Sequence, residues 1–248
     1  MEAASAKNVR WTRMTSTTNK VFAIADTHLS FTSDKPMGVF GDAWNNHAEK
    51  LAVAWREEVS ESDTVIVAGD ISWALKSDDA LSDLEYLHEL PGQKLLIRGN
   101  HDLWWQSVTR LNRLYDDMRF LQNDSVFYDD GKAICGSRGW GLPGLEDYGA
   151  DDEKILAREL IRLQMSLDGA IKGGAKDIIC ALHFPPALTP ANTSSFTELI
   201  ERYPVSQVVY GHLHGTQAYR KGIMGEHSGV LYSLVSGDFL RFRPLRIV

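Results

Sequence analysis

The sequence has little cysteine, no long apolar run and a shortage of positive charge. Its two cysteines, Cys135 and Cys180, stand in a chain of 248 residues. Each lies inside an apolar run (KAIC and DIIC), so both read as buried thiols, and a disulfide framework or a cysteine metal clip is not on offer. A reducing compartment suits such a chain, and the cytoplasm is the expected location. No apolar stretch approaches the ~20 residues of a spanning helix, so no membrane partner is expected. Lys and Arg number 26 against 33 Asp and Glu, a net charge of −7. That balance removes the usual argument for a broad duplex-binding surface and disfavours nucleic acid as a partner.

What is present reads as a soluble globular chain, with 44% hydrophobic and 24% charged residues. No internal repeat, low-complexity tract or interior linker divides it, so one domain is expected over residues 21–248. Residues 1–20 form a polar N-terminal extension without an apolar stretch of signal-peptide length. Met14 is an alternative start, and disorder or an expression leader are the two readings of the segment before it.

Short β-branched runs recur, most of them ending in a polar or glycine-rich turn: 21–26, 64–70, 94–100, 132–137, 177–183, 207–212 and 231–238. Their continuous apolar character predicts strands buried on both faces. Helical patterns lie between several of them. Trp44, Ala48, Leu51, Ala52, Trp55 and Val59 fall on one helical face. Further helices are predicted over 78–90, closed by Pro91-Gly92, over 103–118 and over 152–171. Strand–helix alternation points to a layered α/β architecture, and the strand-rich later part argues against a purely parallel sheet.

The residues able to bind a metal sit at the ends of these strands. Asp26 and His28 follow the first, and Asp70 the second. Gly99-Asn100-His101-Asp102 follows the third, His183 the fifth, and Gly211-His212-Leu213-His214 the sixth. In open α/β sheets, ligands bind outside the carboxyl ends of the strands, so five segments deliver donors to one edge. Aspartate, asparagine and imidazole without thiolate suit Mn, Fe, Zn, Co or Ni better than Ca or Mg. These donors are too many for one tetrahedral ion, and a bridging carboxylate would divide them between a pair of ions.

The ordered series Asp26-x-His28, Gly69-Asp70, Gly99-Asn100-His101-Asp102, His183 and Gly211-His212-x-His214 resembles the calcineurin-like metallophosphoesterase family. The resemblance runs from residue 21 to about residue 214. A Trp-Trp pair after the Asn-His-Asp block, here Trp104-Trp105, is similar to a branch of predicted bacterial phosphohydrolases. The resemblance implies a layered sandwich of two mixed β-sheets flanked by helices. It implies two divalent ions, manganese first. Asp26, His28 and His214 would hold one and Asn100, His183 and His212 the other, with Asp70 bridging. His101, not a ligand, would protonate the leaving oxygen, with Asp102 orienting it. A pair of divalent cations inverts the local field of a negative protein, draws in phosphate and yields a bridging hydroxide for in-line attack. The expected function is hydrolysis of a small phosphorylated substrate, a monoester or a diester.

Other readings stand beside this one. A metal-bound scaffold without turnover has no use for His101 and Asp102, and a nuclease lacks a basic stripe. A protein phosphatase is disfavoured, because Gly69-Asp70 runs into Ile71-Ser72-Trp73-Ala74 and the asparagine block ends in Asp102. His47, His88 and His227 read as ordinary polar residues, and Asp238 as a turn residue. Gly139 to Gly144 matches G-x-G-x-x-G, but its mid-chain position and Pro143 favour a surface loop over a dinucleotide site. Arg138 at that loop is a candidate clamp for a substrate phosphate, since guanidinium matches phosphate oxygens two at a time. Of Trp73, Trp104, Trp105 and Trp140, at least two are expected in the core. Leu29–Phe40 reads as a lid or a long connection.

Overall fold

The computed structural model describes residues 20–143 and 148–248. The N-terminal extension through residue 19, with Met14, lies outside the described residues, as does Gly144 of the glycine-rich loop. In chain order the elements are β1 (Val21–Ile24), α1 (His47–Glu58), β2 (Thr64–Ala68), α2 (Leu81–His88), β3 (Gln93–Ile97), α3 (Val108–Leu111) and β4 (Met118–Phe120). There follow β5 (Ser125–Asp129), β6 (Lys132–Ser137), α4 (Ala150–Lys172), β7 (Asp177–Leu182), α5 (Ser195–Ile200) and β8 (Val205–Tyr210). The chain closes with α6 (Gly215–Tyr219), β9 (Gly225–His227), β10 (Val230–Leu234) and β11 (Leu245–Arg246).

Two mixed sheets result, in the orders β11-β1-β2-β3-β4 and β5-β6-β7-β8-β10-β9. Strands β1 to β4 run parallel with β11 antiparallel at the edge, and β6, β7, β8 and β10 run parallel between antiparallel β5 and β9. The two-residue period of a strand explains the continuous apolar runs. In β1, Val21 and Ala23 enter a cluster shared with Ile134, Ile179 and Val209 of the other sheet, while Phe22 and Ile24 join a cluster with Leu51, Trp55 and Leu84 of the helices. The outer face of the second sheet packs Cys135, Ile178 and Cys180 against Leu163 and Leu167 of α4 and Phe196 of α5. Both faces of the central strands are therefore dry, and full burial of each such aliphatic side chain contributes about 1.5–3 kcal/mol.

Each predicted strand forms. Helix α4 spans 150–172, and Asp152 caps it by accepting from Gly149 N at 2.9 Å. The helix expected over 103–118 does not form: only Val108–Leu111 is helical, and Met118 begins β4. Asn112 ends it, its Oδ1 accepting from Phe120 N at 2.7 Å and its Nδ2 donating to Phe120 O at 3.3 Å. Trp104 and Trp105, both buried, fill the core ahead of it, as expected for two of the four tryptophans. None of the described helices is long and apolar enough to cross a membrane.

Candidate metal centre

The chain turns sharply where the strands end. Asp26, His28, Asp70 and His212 all adopt left-handed backbone, with φ of 56°, 41°, 51° and 72°. Aspartate and histidine tolerate that region better than most residues, though at a cost that persists where surrounding structure enforces it. Gly69, at φ +90°, lets β2 and its neighbours close in, because a Cβ there would stand 2.6 Å from His183 Nδ1. A Cβ on Gly99 would collide with the Asp70 carboxylate.

Five strand ends from both sheets thereby meet. Asp70 Oδ2 lies 3.3 Å from His183 Nε2 and 3.8 Å from His28 Nε2, and Asp26 Oδ1 lies 3.6 Å from His214 Nε2. Asn100 Oδ1 is 2.7 Å from His183 Nε2 and 3.0 Å from His212 Nδ1. Asp26, His28 and His214 form one group of ligand atoms able to surround a cation, and Asp26, Asp70 and His183 form another. All seven predicted ligands are brought together, with Asp26 common to both groups and Asp70 between His28 and His183.

Neighbouring groups fix how the imidazoles point. His183 Nδ1 donates to Ala68 O at 3.1 Å, which leaves Nε2 facing Asp70 and Asn100. His214 Nδ1 lies 3.0 Å from Asp238 Oδ1, which leaves Nε2 facing Asp26. Asp238 also accepts from Tyr219 OH at 2.6 Å and Gly215 N at 3.3 Å. It is thus more than the turn residue its Ser-Gly-Asp setting suggests: it orients a candidate ligand, an arrangement usual around metal-binding histidines. His47 bridges the backbone oxygens of Trp44 and His28, both at 3.2 Å, and serves as an ordinary polar tie.

The electrostatics follow from burial and mutual charge. Burial holds His28 neutral down to about 4, although Asp70 and Asp26 oppose it. Burial and then His183 lower His212 to about 3. Burial also works against a charged His183 and His214, but Asp70 and Asp26 raise the first to about 9, and Asp238 and Asp26 raise the second to about 10. Desolvation disfavours a charged Asp70, yet His183, His28 and the His101 amide hold it well below the ordinary carboxylate range. The donor set fits a divalent transition metal. Carboxylate, amide and imidazole electron pairs converge, and His28 Nδ1 is buried without a partner while its Nε2 stands too far from Asp70 for a hydrogen bond.

His101 sits at the mouth of the cluster, exposed, its ring centroid 5.7 Å from that of His28 and 4.3 Å from that of Trp73. It lines a cavity of about 480 Å³ with His28, His214, Trp44, Trp73, Phe40 and Met37. Trp73 stacks on His28 at 4.8 Å and donates through Nε1 to Met37 Sδ at 2.9 Å. The Leu29–Phe40 segment forms this wall and is tied back by Leu29 N to Ile71 O at 2.9 Å and Phe31 N to Asp83 Oδ1 at 2.9 Å.

Asp102 makes no hydrogen bond to the His101 ring. Its buried carboxylate accepts from Ile71 N (2.9 Å), Ser72 N (3.2 Å), Gly99 N (2.7 Å) and Trp104 Nε1 (3.0 Å), so it acts on the loop backbone. Burial, with Asp70 adding to it, pushes Asp102 up to about 6. Arg138 does not line the large cavity. Its Nη2 lies 3.4 Å from Glu159 Oε1 and its guanidinium 4.3 Å over Trp140, while its carbonyl accepts from His183 N and Phe184 N, each at 3.0 Å.

A mixed carboxylate, amide and imidazole cluster thus stands at the carboxyl edge of two packed sheets, a donor set able to hold divalent metal. The sequence pattern of the calcineurin-like phosphoesterases matches residues 20–216, and the chain belongs to that family. The Gene 66 protein of Mycobacterium phage D29 is 39% identical over 94 residues, 34% of this chain and 47% of that protein, so the match spans about half of that relative's length. A protein of unknown function from Aquifex aeolicus has the same fold, with a TM-score of 0.53, 16% identity and coverage of 92% of this chain and 96% of that one. The phosphopantetheinyl hydrolase of Mycobacterium tuberculosis is similar at a TM-score of 0.49 and 16% identity, over 93% of this chain and 96% of that one.

Proposed function

We propose that the chain is a binuclear enzyme hydrolysing a small phosphomonoester or phosphodiester. Two divalent ions, manganese first and Fe, Zn, Co or Ni as alternatives, would be held by Asp26, His28 and His214 and by Asn100, His183 and His212, with Asp70 shared. The observation that carries this reading is the convergence of seven donors beside a non-ligand histidine at the mouth of a cavity. Such ions, when bound, lower the pKa of water toward neutrality and offset charge on a phosphoryl group.

His101 faces this space from the Asn100 loop, its amide donating to Asp70 Oδ1 at 2.7 Å, and supplies the proton for the departing oxygen. Met37, Phe40, Trp44 and Trp73 provide an apolar wall for the leaving group and limit water around it. No Lys or Arg is among the residues described as lining the cavity, which favours a substrate with one phosphoryl group and disfavours a nuclease. The two free, buried thiols favour a reducing compartment, the cytoplasm.

The test pairs metal analysis of the purified chain with hydrolysis of p-nitrophenyl phosphate and bis-p-nitrophenyl phosphate. His101→Ala should lower kcat roughly 10²–10⁴-fold, as expected for loss of a general acid, with metal content unchanged. Stoichiometric metal without turnover would establish the scaffold reading instead, and unaltered kcat in His101→Ala would remove the leaving-group role.

A further inference from the structure

A second cavity, of about 30 Å³, lies where the chain leaves β3 and β6 beside α4. Its lining includes Arg98, Trp105, Asn123, Arg138, Glu159 and Arg162. Four of these residues carry a buried polar atom without a hydrogen-bond partner: Arg98 Nε, Trp105 Nε1, Arg138 Nε and Asn123 Oδ1. Three of the four are N–H donors. Leaving a buried donor unmade costs about 1–3 kcal/mol, so three such donors on the lining residues of one small cavity call for an acceptor there.

The charge around the cavity has the same sign preference. Arg98, Arg138 and Arg162 face it with a single carboxylate, Glu159, among the described lining residues. That carboxylate is already divided: Glu159 Oε1 stands 2.8 Å from Arg162 Nη1, 3.4 Å from Arg138 Nη2 and 3.8 Å from Arg158 Nε. Burial lowers Arg138 from its ordinary value; Glu159 opposes this, and Arg98, Arg158 and Arg162 add to it. A single water would accept from at most two of the three donors and, unlike an anion, could donate to Asn123 Oδ1, but it would bring no charge to set against Arg98, Arg138 and Arg162. The space exceeds the ~10–15 Å³ that one water needs, yet it is small for a tetrahedral oxyanion with five heavy atoms.

We propose that this cavity is a structural site for a halide-sized anion, chloride in ordinary solution, held by Arg98 Nε, Trp105 Nε1 and Arg138 Nε. Its placement gives it a task. Arg98 directly precedes Gly99-Asn100, and the Arg138 carbonyl carries the amides of His183 and Phe184. The anion would pin the bases of two ligand loops that arise from different sheets.

The full chain should melt at a higher temperature in sodium chloride than in sodium gluconate of equal ionic strength, with a saturable dependence on chloride. Crystals grown with bromide should show an anomalous peak between the three donors. Trp105→Phe keeps the ring and removes one donor, so the chloride concentration at half effect should rise at least about tenfold, the equivalent of one hydrogen bond to a charged group. Arg138→Met should remove the chloride dependence. A light-atom peak unchanged by bromide, identical melting in the two salts, or a chloride response unaltered in Trp105→Phe would overturn the assignment.

Discussion

Asp238→Asn isolates what a residue outside the candidate ligand set does for the proposed metal centre. The Asp238 carboxylate accepts from His214 Nδ1 at 3.0 Å, Tyr219 OH at 2.6 Å and Phe239 N at 3.0 Å, and its side chain is only 5% exposed. Asparagine keeps the volume and one acceptor oxygen, but it loses the charge and turns an NH₂ toward Tyr219 or Gly215. Hydrogen bonds to ionised groups contribute about 1.5–3 kcal/mol against about 0.5–1.5 for neutral pairs, so the His214 contact alone weakens by about 1–1.5 kcal/mol, roughly tenfold. Tyr219 adds to that, and the total falls in the ~10–100-fold loss of metal affinity usual for such outer partners. Competition with a chromophoric chelator measures it. Activity should return near the parent value at saturating metal. Unchanged affinity would refute the orienting role. Activity that saturating metal does not restore would show instead that Asp238, which also lines the large cavity, acts on the substrate.

Asp102→Asn should lower stability by about 2–4 kcal/mol in denaturant melts, because an amide nitrogen must then face backbone donors at a fully buried position. Its catalytic loss should track the disturbed loop, so the double variant with His101→Ala should be less than additive in kcat. The buried thiols should resist alkylation in the native state. Burial pushes Cys135 from its ordinary 9.0 up to about 12 and raises Cys180 well above that ordinary value. At pH 8 about one Cys135 in 10⁴ is thiolate, and rapid labelling of native protein by iodoacetamide would refute the burial. The unfolded thiols ionise first, so this pair contributes a stability that falls as pH rises from about 9 toward about 12.

Much of the site was legible because its chemistry is local to strand ends. Asp26, Asp70, Asn100, His183 and His212 each follow an apolar run, and such runs are readable wherever both faces of a strand are covered. The same logic fails for β9 and β11, short edge strands whose exposed residues carry no apolar period, and for α5, a short helix announced only by Ser194 accepting from Phe196 N and Thr197 N. It misleads over 103–118, where the spacing of apolar residues comes from Trp104, Trp105, Leu111 and Met118 entering one core from loop, helix and strand in turn. Asp238 was missed for a different reason. Its Ser-Gly-Asp setting matches any turn, and only the folding of the segment after β10 against His214 and Tyr219 shows what it meets. A signal existed in retrospect, since the seventh apolar run also ends in Gly-Asp.

The role of Asp102 follows from counting its donors. A carboxylate with four N–H groups around it and no acceptor beside it is suited to the ionised form alone. Those donors come from the turn after β2, the turn after β3 and the first tryptophan of the pair, so the group ties Asp70's loop to Asn100's loop. Asp70 returns the tie by accepting from His101 N at 2.7 Å. Two buried carboxylates thus exchange backbone donors across neighbouring parallel strands, each holding the loop from which the other projects. Burial first, and repulsion from Asp70 second, displace Asp102 upward, while its backbone amide donors oppose that shift. A divalent cation held at Asp70 would lessen the repulsion between the two carboxylates and so add to the stability of this pair.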